Sequence, residues 1–101
     1  MIFMVTNWYP SHKAEEVTNI QQNVPQQLPP YIKKWQLFGM PDGKRGVKVY
    51  GLVFTDAEKV EEAGRYIAKV MGLFSGVEGY TWKIESLMGI KDMQKIQDLQ
   101  L

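Results

Sequence analysis

Between two stretches of helical periodicity this chain carries a tight turn flanked on both sides by strand-like runs, and that arrangement restricts the fold more than any other feature. The turn is Pro41-Asp42-Gly43 followed by Lys44-Arg45-Gly46, residue types that fix φ, bond back to the main chain or accept positive φ. Tyr31 to Met40 before it and Val47 to Thr55 after it are rich in β-branched and aromatic residues, which predicts a hairpin, β2 and β3. Upstream, Met-Ile-Phe-Met-Val-Thr-Asn-Trp-Tyr stops at Pro10 and predicts β1 over about 2–9. Ser11 stands where an N-cap would, and Ala14, Val17, Ile20, Gln21 and Val24 form one stripe of a first helix, α1. Residues 24–30 contain three prolines and predict an extended connection. Downstream, Thr55 and Glu58 have capping-box spacing, and Val60, Ala63, Gly64, Ile67, Val70, Met71 and Phe74 share one face of α2. Tyr80 to Met88 predicts β4, and the polar tail from Ile90 to Leu101 predicts a short terminal helix.

Strand, helix, hairpin, helix, strand is the order of a ferredoxin-like β-α-β-β-α-β sandwich, an α+β fold with a four-stranded antiparallel sheet and two helices on one face. A sheet with one wet face should alternate apolar and polar residues. Here β1 sets Ile2, Met4 and Trp8 against Phe3, Val5 and Tyr9, and β3 sets Val47, Val49 and Val53 against Tyr50, Leu52 and Phe54. Both faces therefore read as buried. Helices cover one, and a second copy of the sheet is the expected cover for the other.

On the start Met-Ile-Phe-Met-Val-Thr-Asn-Trp, the two-helix layout and the terminal segment, residues 1 to about 90 resemble the dimeric α+β barrel superfamily. Its small members include antibiotic-biosynthesis monooxygenases, haem-degrading monooxygenases and uncharacterised families. The resemblance implies a homodimeric barrel with a mostly apolar pocket between sheet and helices. It also implies cofactor-independent oxidation or isomerisation of a small apolar or aromatic substrate.

Composition narrows the chemistry. With 101 residues the chain makes one domain, a core over 1–90 and a polar segment over 91–101. Absence of cysteine removes disulfides, thiolate metal sites and thiol nucleophiles, and a single histidine removes multi-histidine centres, so no metal and no cofactor is expected. Phosphate-binding loops, dinucleotide fingerprints and nucleophile elbows are missing. Met1 to Val5 is followed at once by Thr6 and Asn7, which is no secretory start, and no run approaches a membrane span. A cytoplasmic location without membrane contact is the expectation.

Five residues are candidates for a ligand pocket: Asn7, Tyr9, His12, Gly64 and Trp82. Asn7 is an amide inside an apolar strand and resembles the pocket asparagine of the haem-degrading members, although α2 lacks their axial histidine. His12 alone has an ordinary pKa near neutrality, at the expected start of α1. Gly64 interrupts the apolar stripe of α2, leaving room for a strand or a ligand. Strand parity puts Asn7 and Tyr9 with Phe3 and Val5, on the side expected to meet the helices. Trp82 offers a flat apolar wall with one donor.

Two other functional classes fit the same order of elements. Lys48-Val49-Tyr50-Gly51-Leu52-Val53-Phe54 resembles the β3 signature of RNA-recognition motifs, with Val49 where glycine is usual and Leu52 for an aromatic. A net charge of +1 gives nucleic acid little electrostatic pull, and lysines such as Lys33 and Lys34 suit a solubilising edge strand. The third class is a structural or regulatory dimer without turnover.

Overall fold

The computed structural model describes residues 1–25, 27–90 and 93–94. Its strands are β1 (Ile2–Tyr9), β2 (Ile32–Pro41), β3 (Val47–Thr55) and β4 (Thr81–Leu87), and its helices are α1 (Ala14–Gln22) and α2 (Val60–Gly72). One sheet has the order β2-β3-β1-β4 with every pair antiparallel. This is the ferredoxin-like arrangement. The terminal helix expected over 90–101 falls mostly outside the described residues; within them, the Met93 amide donates to the Gly89 carbonyl at 3.1 Å.

β1 is the centre of the sheet, paired along its whole length with β3 and over Ile2 to Trp8 with β4. Its odd residues Phe3 and Val5 join Val53 of β3 and Ala63, Ile67 and Met71 of α2 in the main core. Val17 of α1 packs with Phe74 and Val77 in a second cluster that Tyr9 borders. Both helices thus lie over the face that carries Phe3, Val5, Asn7 and Tyr9. The even residues Ile2, Met4, Thr6 and Trp8 belong to the opposite face, which is helix-free in the sense that neither α1 nor α2 covers it.

Two helix starts differ from the sequence reading. Ser11 is not an N-cap: Ser11–Lys13 forms a 3-10 turn after Pro10, and α1 begins at Ala14 without a side-chain cap. Thr55 and Glu58 form no capping box either. Thr55 remains in β3 opposite Ile32, its hydroxyl donates to the Met1 carbonyl at 3.5 Å, and α2 starts only at Val60 after a 3-10 turn over Ala57–Lys59. Strand register claims the threonine that the local pattern assigns to a helix cap.

The chain corner at Pro10 is enclosed by two glycines with positive φ. Gly46, at φ 91°, ends the β2–β3 turn, and a Cβ there would strike the Tyr9 carbonyl oxygen and lie 2.9 Å from Pro10 Cα. Gly79, at φ 83°, precedes β4, and its Cβ would come within 2.6 Å of Pro10 Cγ. Backbone cannot yield as a side chain can, so Gly46→Ala is expected to cost at least about 2 kcal/mol in urea unfolding. Gly64→Ala is expected to do the opposite, stabilising by about 0.5–1 kcal/mol, because a Cβ there meets nothing within 4 Å and helix propensity alone decides.

Candidate functional site

A cavity of about 390 Å³ opens between the sheet and the helical layer, within the size range of small-molecule sites. Val5, Asn7, Val49 and Gly51 supply the central sheet surface, and Trp35 and Leu37 of β2 extend it. Tyr66, Val70 and Met71 come from α2, Val17 and Gln21 from α1, and Val24, Pro25 and Leu28 from the proline-rich connection. Phe74, Tyr9 and Tyr80 complete it at one end.

Gly51 determines how Trp35 sits. Both residues lie on the helix side of the sheet, and a Cβ at Gly51 would fall 2.7 Å from the Trp35 indole nitrogen. The missing side chain lets the indole fold across the strand. Its Nε1–H is buried there with no acceptor. Asn7, 8% exposed, likewise makes no side-chain hydrogen bond among the described residues. Unlike the Trp35 nitrogen, its amide is not fully buried and opens onto the cavity.

At the far end Tyr80 is sandwiched between two rings, 6.1 Å from Tyr9 and 4.9 Å from Phe74, all nearly parallel. Burial pushes the Tyr80 phenol well above its ordinary range, and the Tyr9 phenol beside it adds to the rise. Among the described residues, no aspartate, glutamate, lysine, arginine or histidine lines the cavity.

Of the five candidates from sequence, the structure brings Asn7 and Tyr9 to this cavity. His12 is exposed in the 3-10 turn, and Gly64 faces open space on α2 outside the lining. Trp82 lies opposite Asn7 on the edge strand β4, 37% exposed and also outside the lining. Trp35 takes the place that the sequence reading gave to Trp82. A glycine inside the β3 pattern was the available signal, since it marks close approach of another group.

The basic residues separate in the same way. Lys33 pairs with Asp56 at 3.5 Å and Lys34 is exposed on the edge strand. Lys48 lies on the inner strand β3, where edge protection does not account for it.

No family model, curated protein or solved structure matches the chain. Among the described residues no group of acidic, histidine or cysteine side chains is placed to hold a metal, and no helix is long and apolar enough to cross a membrane. The molecule is thus an α+β protein of ferredoxin-like topology with an uncharged cavity under its helices.

Tyr80 makes the unfolding equilibrium sensitive to alkali. With the native pKa raised above 10.0, the unfolded chain gives up the proton first, so stability is full below pH 10.0 and falls as pH rises beyond it. Urea midpoints measured from about pH 9 to about pH 11 should fall less steeply in Tyr80→Phe than in the unaltered protein.

Proposed function

We propose that the protein binds a small, uncharged, largely apolar molecule with a planar ring in the cavity between sheet and helices. The observation that carries this reading is the Asn7 amide, which opens onto the cavity with no hydrogen-bond partner among the described residues, in a wall that is otherwise nearly all apolar or aromatic. A ligand with one polar group would bond to it. Aromatic rings at Trp35 and Tyr66, which lie outside the Tyr9–Tyr80–Phe74 stack, suit a flat molecule. The oxidation or isomerisation implied by the resemblance needs a proton acceptor, and none of the described lining residues is a good one at neutral pH. The reading is therefore of binding, without turnover.

A neutral planar probe, 2-naphthol, tests it by calorimetry. Saturable binding is expected, weakened about tenfold in Asn7→Leu by loss of one buried hydrogen bond. Without ligand, the same variant should keep the urea midpoint of the unaltered protein, because the amide opens onto the cavity and makes no hydrogen bond within the described residues. Absence of naphthol binding together with a destabilised Asn7→Leu would show that the amide is structural.

A homodimer is the assembly we propose, formed through the end of the sheet face opposite the helices that carries Ile2 and Met4, leaving the Trp8 end open. Its support is an adjoining group of apolar side chains in register, Ile2 beside Phe54 and Leu87, and Met4 beside Leu52. Sedimentation should give twice 11.7 kDa, and Leu52→Lys, flanked in register by Met4 and Gln36, should give the single-chain mass, since a lysine cannot be buried unpaired at such a contact. A single-chain mass for the unaltered protein at micromolar concentration would rule the dimer out.

A further inference from the structure

The helix-free face changes character along its length. Beyond Met4 and Leu52 the register brings Thr6 beside Tyr50 and Trp8 beside Lys48. Arg45 reaches over from the β2–β3 turn, its guanidinium carbon 4.6 Å from the centre of the Trp8 ring. Lys48 Nζ lies 5.5 Å from that ring and 4.8 Å from the centre of Tyr50. Two cations converge on one indole, and among the described residues neither has an acidic partner. The ring attracts each of them but does nothing to cancel their mutual repulsion. Lys83, the next cation on this face, is already engaged by Glu85 at 3.4 Å.

Two neutral donors at the same end also lack partners. The Trp8 indole N–H is buried without an acceptor, and so is the hydroxyl of Thr6, a residue only 1% exposed. Beside them Phe38 stands opposite Tyr50 in register and is 52% exposed, so a flat aromatic surface adjoins the charged spot.

We propose that this end of the sheet binds a phosphomonoester carried on a planar ring, the chemistry presented by a free 5′-mononucleotide. The charge fits, because a phosphomonoester carries close to two negative charges at neutral pH and two cations here have no acidic partner. The shape fits as well, since a base stacked on the exposed Phe38, beside Tyr50, places its phosphate toward Lys48 and Arg45. The assignment is independent of the cavity, which lies on the other side of the sheet.

Adenosine 5′-monophosphate titrated into isotope-labelled protein tests the site, read at the Trp8 indole N–H resonance and identified by its loss in Trp8→Phe. A saturable shift is expected, weakened by added salt and about tenfold weaker in Lys48→Ala and in Arg45→Ala. Lys59→Ala, an exposed lysine in the turn before α2, should bind as the unaltered protein does. Adenosine without phosphate, and inorganic phosphate without a base, should each bind more weakly than the monophosphate. The proposal is overturned by any of three results: no shift at about 10 mM ligand, undiminished binding in natively folded Lys48→Ala and Arg45→Ala, or adenosine equal to the monophosphate. Tighter binding of a single-stranded oligonucleotide lacking a terminal phosphate would also overturn it, assigning the face to a nucleic-acid strand.

Discussion

Antiparallel pairing of β1 on both sides is the constraint from which the rest of the molecule follows. Because β3 and β4 both hydrogen-bond to it, β1 cannot shift register without disturbing three strands at once. Its alternation then divides the protein into two surfaces. Phe3 and Val5 commit one side to the helices, and with that side fixed, Asn7 must enter the same apolar space two residues further on. The neighbours Thr6 and Trp8 are turned by the same pleat to the other surface. An amide open to the cavity and a buried hydroxyl without a partner, adjacent in sequence, thus serve two chemically different environments separated by one layer of backbone.

Much of this layer structure was legible in the sequence. Strand parity alone placed Phe3, Val5, Asn7 and Tyr9 together, because a two-residue period survives any detail of packing. Helix starts were less legible. The spacing of Thr55 and Glu58 is local information, whereas the bond from the Thr55 hydroxyl to Met1 depends on residues more than fifty positions apart. Which tryptophan approaches the cavity was hidden for a related reason. Trp35 and Trp82 look alike as residue types, and only the pairing of β2 against Gly51 of β3 distinguishes them. Gly64 drew notice for standing on the apolar stripe of α2, yet the helix directs that position toward open space. Position on a stripe does not fix what lies opposite.

Electrostatics follow the same division. On the helix side the lining holds no acidic or basic side chain, and burial pushes the Tyr80 phenol above its ordinary range. On the free side, cations sit over aromatic rings at 4.6–5.8 Å. One β1 strand therefore separates a space suited to neutral molecules from a surface suited to anions. Discrimination between the two comes from desolvation on one side and unpaired positive charge on the other.

The corner at Pro10 also bears on the order in which the chain can assemble. Pro10 meets Gly46 and Gly79, so the corner closes only when segments from the start, middle and far part of the sequence have come together. Each such closure gives up loop entropy before any contact compensates for it, and contacts between distant residues are the slow ones in folding. Hairpin β2–β3 and helix α2 can form from neighbouring residues. The fit of two bare glycines around one proline ring is therefore a late event, and the native arrangement is sealed at the end of β1 farthest from Met1.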